Sequence, residues 1–482
     1  MNLENMPILN GLLKHMNKNI TPFHMPGHKN NINNFDELEL ISENLYGIDK
    51  TEIPGLDNLH IPKEMILHAE ILASRAFKSS KSYFLVNGST CGISSMIMGV
   101  TKPKDKVIVQ RNCHQSVFMA CLMGDLSLCY INPDVLSEFN IAGAVSVKEI
   151  VAIMDANRDA KAIVLTYPTY YGTCSDLLKI TLEAHKRNML VLVDEAHGAH
   201  LPFNVKLPIS AMDCGADVSV ISLHKSLPAL TQASLLNIGG GIISIRAISP
   251  GIEFMLKIFQ SSSPSYVLMA SIDAARNIME SRGNALLDKL IYNIDVLSNK
   301  LSNLGGYKIL GKEQIGIASI KDVDITKIVI ASKSSLSGRD LEMKLLNEHN
   351  IQIEMSDINN IVLIGSVGDS DDAFEKLFNA LYNINKEGYK SKTENILLGP
   401  IKYQTCTSMR DAYYSEKKTV PLIESRGLIS GEAVVPYPPG IPVLLPGELI
   451  TQEIIDYIEL VKAHGIMLSS INDSSGENIL VI

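Results

Sequence analysis

The sequence predicts an α/β protein built on a mostly parallel sheet covered on both faces, followed by a small α/β domain and a C-terminal domain. Three observations carry this expectation. Short apolar runs alternate with helical segments from about residue 80 to residue 225, the pattern of right-handed β-α-β crossovers. Each polar cluster able to do chemistry stands just past one of those runs, where ligands bind on open parallel sheets. At 482 residues the chain exceeds what one core accommodates, so two or three domains are expected.

Residues 1–60 read as an N-terminal arm. They are punctuated by Pro22, Pro26, Gly27, Pro54 and Gly55, and they carry His24, His28, Asp49, Glu52, Asp57 and His60, the composition of loops lying over something rather than of a core. Residues 61–315 form the expected large domain. A helical pattern runs from Pro62 to Lys78, and strands are expected at 83–86, 106–109, 162–165, 189–193 and 217–221, with helices opening after Asn87, near His114 and after Asp176. Gly239–Gly241 reads as a hairpin between two strands. Two long helices, 265–281 and 285–304, end this domain. In residues 316–390 the texture changes to strands 325–331, 351–355 and 361–364 with helices 338–348 and 371–384, a small α/β sandwich. A polar linker, 385–394, leads into a C-terminal domain, 391–482, that contains the rigid turn Pro436–Pro442.

Composition excludes several function classes. Apolar residues are 46% and charged residues 20%, a globular balance, and the formal charge of −9 leaves no basic excess for a nucleic acid. No uncharged apolar run reaches bilayer length, and Met1–Met6 is not a basic leader, so no membrane partner and a cytoplasmic location are expected. Seven cysteines without paired spacing read as reduced thiols. No metal is expected, because Pro26–Gly27 between His24 and His28 forbids the helix that would align them.

The chemistry is expected in Val220–Ser234. An apolar strand ends there and presents Ser222, His224 and Lys225 together. A lysine at the mouth of a buried sheet lowers its pKa, as an amine that attacks a carbonyl requires, although a lone lysine is more often a surface residue. Asp194-Glu-Ala-His197 closes another apolar strand, so Asp194 faces the same edge and needs a cationic partner, such as a protonated pyridine nitrogen or an arginine. The same four residues occur in helicases, but the phosphate loop that a helicase requires is absent from the sequence. Gly88-Ser89-Thr90 opens a helix and offers an anion cradle, a signal that is weak by itself because Ser and Thr commonly cap helices. His114 stands at another helix start, where its ring could stack on a flat cofactor or simply fill the core.

An ordered series of motifs lifts these readings. It comprises His24-Met-Pro-Gly-His-Lys29, Thr51–His60, Asn87-Gly-Ser-Thr90, Arg111-Asn-Cys-His114, Tyr167–Gly172 and Val193–His200. Ser222-Leu-His-Lys225 with Thr231-Gln232, Ser263-Pro-Ser-Tyr266, Tyr437–Pro442 and Pro446-Gly-Glu448 complete it. Across nearly its whole length the chain resembles the bacterial Orn/Lys/Arg decarboxylases, pyridoxal-phosphate enzymes of the aspartate-aminotransferase fold (fold type I). The resemblance implies α-decarboxylation of a basic amino acid, arginine first, with lysine and ornithine behind it. It implies that Lys225 carries pyridoxal 5'-phosphate as a Schiff base, Asp194 pairs with the pyridine nitrogen and His114 stacks on the ring. Ser89, Thr90, Ser222 and His224 would hold or flank the phosphate, His197 would support the ring, and Lys225 or His224 would return a proton to Cα.

The resemblance further implies a homodimer, with Ser262 or Ser263 reaching a neighbouring subunit's phosphate. It implies a short form without the extra N-terminal domain through which long members build decamers. Gln115 departs from the lysine expected after that histidine. For the substrate's distal cation, Asp57, Glu424 and Glu432 are candidates. Two rivals stay open: an aminotransferase or carbon–sulfur lyase, which would clamp the α-carboxylate with an arginine such as Arg410 or Arg426, and a catalytically silent relative.

Overall fold

The computed structural model describes residues 3–240, 245–389, 401–437, 439–469 and 471–482. The first sixty residues are less irregular than expected, since they form α1 (Pro7–Met16), β1 (Thr21–Phe23), α2 (Asp36–Glu43) and α3 (Leu45–Ile48). Pro7 opens α1 where its missing N–H costs nothing, and Asp36, Glu37 and Glu39 face the positive end of α2.

The large domain then follows the expected alternation. It comprises α4 (Met65–Ala76), β2 (Lys81–Leu85), α5 (Gly88–Val100), β3 (Lys106–Gln110), α6 (Gln115–Met123) and β4 (Ser127–Ile131). A small hairpin of β5 (Val135–Leu136) and β6 (Ile141–Ala142) precedes α7 (Val147–Ala156), β7 (Ala162–Thr166), β8 (Thr173–Cys174) and α8 (Leu177–His185). β9 (Leu190–Asp194), β10 (Val218–Ser222), the single turn α9 (Leu223–Ser226) and β11 (Ser234–Ile238) complete it.

Seven of these strands form one sheet in the order β2-β11-β10-β9-β7-β3-β4, in which β11 alone runs antiparallel to its neighbours. Successive residues of one strand enter different cores. Leu190 and Leu192 pack in one cluster, and Val191 and Val193 pack in the other. Burial on both faces is why these strands are continuously apolar rather than alternating.

The expected hairpin at Gly239–Gly241 runs into residues 241–244, outside the described residues, and the next described element after β11 is the helix α10 (Ile245–Phe259). One expectation fails here. The two long helices are one, α11 (Tyr266–Leu304), 39 residues long. Gly283 does not break it, because a mid-helix glycine costs only about 1 kcal/mol and tertiary packing outweighs that. Its bare Cα lies close to Phe203, and a Cβ there would sit 3.4 Å from that side chain.

The small domain contains β12 (Tyr307–Ile309), β13 (Asp322–Val323), β14 (Lys327–Ser332), α12 (Gly338–His349), β15 (Ile351–Ile353), β16 (Met355–Ser356), β17 (Asn360–Ile364) and α13 (Asp371–Lys386). Its sheet has the order β12-β14-β17-β16. β15 leaves that sheet and pairs in parallel with β1, Thr21 opposite Ile351. β13 pairs with β8 of the large domain. The small domain is thus stitched to the arm and to the large domain by backbone hydrogen bonds.

Residues 385 and 386, expected in a linker, belong to α13, and 390–394 of that linker lie outside the described residues. The last segment holds α14 (Met409–Tyr414), β18 (Lys418–Pro421), β19 (Val435–Tyr437), α15 (Gln452–Ala463), β20 (Met467–Ser469) and β21 (Asn478–Val481). It is fastened to the large domain by a buried ion pair, Arg111 Nη2 to Glu448 Oε2 at 3.0 Å. The Arg111 guanidinium lies 3.7 Å from the Tyr403 ring centroid and donates from Nη1 to Pro442 O at 2.6 Å. Breaking a buried pair of this kind costs about 3–5 kcal/mol. Among the described residues no helix is long and apolar enough to cross a membrane. All seven cysteines are free thiols.

Candidate active site

A cavity of about 550 Å³ opens at the carboxyl ends of the sheet, walled by the large domain, the arm, the small domain and the turn at 437–441. Its centre is Lys225. β10 ends at Ser222, and the single turn α9 swings Lys225 from the strand end into the cavity. The arm locks that turn from outside. Gly27 N donates to His224 O at 2.7 Å, and a Cβ on Gly27 would lie 2.6 Å from Leu227 O, so only glycine passes there.

Lys225 Nζ lies 3.0 Å from His197 Nε2. Surrounding protein lowers the lysine's pKa by desolvation, against the opposing pull of Asp194 and Glu354. Burial, with Lys225 and Lys327 nearby, holds His197 well below the usual histidine range, so the imidazole is neutral. His224 is pushed down to about 4, chiefly by burial, while its Nδ1 stays 3.1 Å from Ala233 O.

The anion cradle is the first turn of α5. Asn87, Gly88, Ser89 and Thr90 all line the cavity. Gly88 has φ +75°, a left-handed conformation that favours glycine. Ser222 does not reach the cavity wall and instead donates to Ser89 Oγ at 2.8 Å, orienting that hydroxyl from behind. Asp194, the last residue of β9, is 3% exposed and lines the cavity, and its Oδ1 accepts from Ala196 N at 3.1 Å.

His114 caps α6, its Nδ1 accepting from Ser116 N at 3.2 Å, so the ring is held with Nε2 outward. Gly440, φ +84°, presses against that ring, and a Cβ there would meet His114 Nε2 at 3.1 Å. The adjoining Gln115 N donates to Gly440 O at 2.9 Å. The turn 436–442, apart from Pro438, which lies outside the described residues, therefore covers the His114 ring.

Several expected residues are elsewhere. Ser262 and Ser263 are exposed and do not line this cavity; their neighbour Ser261 donates its backbone N–H to Asn87 Oδ1 at 3.1 Å, which leaves them at the cradle's outer edge. None of the three carboxylates suggested for the distal cation lines the cavity. Asp57 accepts from the backbone N–H groups of Asn58, Lys63, Glu64 and Ile66 and so caps α4. Glu432 accepts from Asn472 N and Leu480 N within the C-terminal segment, and Glu424 is exposed. Arg410, half-buried with its Nη1 donating to Met123 O at 3.0 Å, and the exposed Arg426 both lie outside the cavity, which removes the arginine clamp that an aminotransferase reading needed.

Besides Asp194, the carboxylate that lines the cavity is Glu354, from the short link between β15 and β16. Tyr170 OH donates to its Oε1 at 2.7 Å and Met25 N to its Oε2 at 2.9 Å. Tyr170 also sets its ring edge-on to His197, with centroids 4.8 Å apart. Sequence reasoning missed Glu354, although a signal existed: a charged residue interrupts the apolar run Ile351–Met355.

A buried lysine at a strand's end, a carboxylate at the neighbouring strand's end and a helix-mouth turn, all on one mostly parallel sheet, fit a phosphorylated pyridine aldehyde. The class is therefore the pyridoxal-phosphate enzymes of fold type I. The chain belongs to the Orn/Lys/Arg decarboxylase family: the family's major domain matches residues 6–373 and its C-terminal domain residues 393–468. It is 35% identical to an arginine decarboxylase of Bacillus subtilis over 99% of this chain and 97% of the relative. It is 34% identical to an arginine decarboxylase of Halalkalibacterium halodurans over 99% and 98% of the two chains. The fold matches a lysine decarboxylase of Francisella novicida with a TM-score of 0.77 at 20% identity, over 92% of this chain and 75% of the other. By family the chain is a pyridoxal-phosphate-dependent amino-acid decarboxylase acting on a basic amino acid.

Proposed function

We propose that the substrate is arginine, converted to agmatine with release of CO2, and that Glu354 receives the guanidinium. The observation that supports this reading is Glu354, the carboxylate that lines the cavity besides Asp194, oriented by two donors in the same cavity as Lys225. A cavity-facing carboxylate favours a cationic side chain, and a planar guanidinium can pair with it in bidentate fashion. The two relatives above, named arginine decarboxylases, point to arginine rather than lysine or ornithine.

The chain's residues divide the work. Pyridoxal phosphate, when bound, supplies the electron-accepting ring that makes loss of CO2 feasible. Ser89, Thr90 and the first turn of α5 would hold its phosphate, with Ser222 and His224 flanking, and Asp194 would face its ring nitrogen. His114 would cover one face, and His197 would support the ring beside Asp194. Lys225, poised as an amine by burial, would be the point of attachment and, with His224, the donor of the proton to Cα. The division into an arm (1–60), a large domain (61–315), a small domain (316–390) and a C-terminal domain (391–482) belongs to the same reading. So do a homodimer in which Ser262 or Ser263 borders the neighbour's cradle, a cytoplasmic location and a role in polyamine formation.

The test is direct. The protein loaded with pyridoxal phosphate is incubated separately with arginine, lysine and ornithine, and CO2 and amine are measured. Agmatine formed with the highest kcat/KM supports the reading. Cadaverine or putrescine formed faster overturns the substrate, and keto acid without CO2 overturns the reaction.

A further inference from the structure

One stretch of the arm, His24–Lys29, takes no chemical step above, yet it touches both Glu354 and the turn that carries Lys225. β1 pairs with β15 up to Phe23 opposite Ile353, which carries the chain past Glu354. There Met25 lines the cavity, and its N–H donates to Glu354 Oε2 at 2.9 Å. Two residues on, Gly27 N donates to His224 O at 2.7 Å, on the turn α9. The backbone at this point is wedged. A Cβ on Gly27 would lie 2.6 Å from Leu227 O, and a Cβ on Gly368 would lie 2.6 Å from Gly27 O. The segment therefore fits between the Lys225 turn and the loop after β17 with no room for a side chain.

Lys29 fastens this segment from the small-domain side. Its Nζ reaches back to donate to His24 O at 2.7 Å, and it donates to Ile364 O, at the end of β17, at 2.8 Å. The residue is 7% exposed, an unusual place for a lysine unless its donors are used. Two N–H bonds are all this role requires, and the amine supplies them whether charged or neutral. Ser366 Oγ adds a donation to Gly27 O at 2.6 Å. Met25 is thus held between two anchored residues, His24 and Gly27.

We propose that Lys29 is a positioning residue and that the segment it pins is a ruler, which fixes the gap between Glu354 and Lys225 and so selects the length of the basic side chain. Glu354 is held by an N–H of the same segment that is bonded to the Lys225 turn, so the carboxylate cannot shift without straining one of those bonds. Arginine, lysine and ornithine present the same reacting group and differ in the reach and shape of the distal cation. Charge alone does not separate them, whereas a fixed gap does, because the wrong length leaves the carboxylate and the cation imperfectly paired. A loosened segment would let Glu354 follow cations of other reach. This inference rests on Glu354 receiving the distal cation, the reading given above.

The experiment uses the full chain loaded with pyridoxal phosphate and compares kcat/KM for arginine, lysine and ornithine. K29M keeps the apolar stem and removes both donations. It should raise KM for the preferred substrate about tenfold and narrow its lead over the other two by a similar factor. Its kcat and the visible absorbance of the bound cofactor should change little, which separates a lost position from a damaged fold. S366A, which loses the single bond to Gly27 O, should narrow the same lead by about threefold, and it carries the test where K29M does not fold. In an E354Q background K29M should narrow the lead no further, the non-additivity expected of residues acting through one another. A wild-type preference in folded K29M, or in S366A where K29M does not fold, overturns the proposal, as does an undiminished effect of K29M in the E354Q background. A wild-type KM in E354Q alone overturns instead the assignment of Glu354, and that result is read without K29M.

Discussion

The two halves of the site are made in different ways. The large-domain half, Lys225, Asp194, Ser89, Thr90 and His114, consists of residues at or just beyond the ends of apolar strands on one sheet. The small-domain half is Glu354, carried by a short strand whose partner lies far away in sequence: it follows β15, which pairs with β1 some three hundred residues earlier. In the first half each residue's neighbourhood is decided by local periodicity. In the second it is decided by long-range backbone pairing, which leaves almost no local trace. In the function proposed above the division follows the same line: the large-domain half would face the reacting atoms and Glu354 the substrate's far end.

The sharpest way to break that division is K225A. It should abolish the visible absorbance of the bound cofactor and lower kcat by at least about a thousandfold, as loss of a principal catalytic group does. Absorbance spectra and CO2 release check both. Survival of the absorbance would mean that the lysine at the strand end is not the attachment point, and the large-domain half would lose its centre. Nothing in the small-domain half should produce that spectral loss.

This contrast explains what was readable beforehand. Strands β2, β3, β7, β9 and β10 were all expected within about three residues of their observed ends, because double-sided burial makes a continuous apolar run. Lys225, Asp194, Ser89, Thr90 and His114 could then be placed by where those runs stop. Two of the three carboxylates offered for the distal cation failed for a common physical reason. A carboxylate's chemistry does not reveal whether backbone N–H groups already occupy it, and Asp57 and Glu432 are both taken in that way. α1 was hidden differently. Its apolar side chains Ile8, Leu12 and Met16 keep helical spacing, but they remain exposed in the single chain, at 80%, 59% and 68%, and Pro and Gly elsewhere in the arm outweighed them. Gly283 misled because glycine marks a possible helix end, whereas here it marks a close contact with Phe203.

A smaller effect sharpens the division from the other side. E354Q keeps the shape and the hydrogen-bond acceptor at one oxygen but removes the charge. The loss of a charge-assisted contact of about 1.5–3 kcal/mol should lower kcat/KM for arginine by roughly ten- to a hundredfold, mostly through KM. Norleucine, which has no distal cation, should be turned over equally poorly by E354Q and wild type. If E354Q instead lowers kcat for both substrates alike, Glu354 belongs with the reacting half, and the line drawn between the two halves is in the wrong place.

The smallest expected effect tests how the halves are joined. Tyr170 touches both, through its hydroxyl on Glu354 and its ring on His197. Y170F removes the first contact and keeps the second. Glu354 retains Met25 N as a donor, so the carboxylate should lose orientation but not its charge. A neutral donor is worth about 1 kcal/mol, which is roughly a fivefold rise in KM for arginine with kcat little changed. Steady-state kinetics with arginine measures the split, and the absorbance titration of the bound cofactor should match the wild type because the ring against His197 is intact. A shifted titration in Y170F would show that the hydroxyl on Glu354 also governs the charge state beside Lys225, and the two halves would then be coupled through Tyr170 rather than independent.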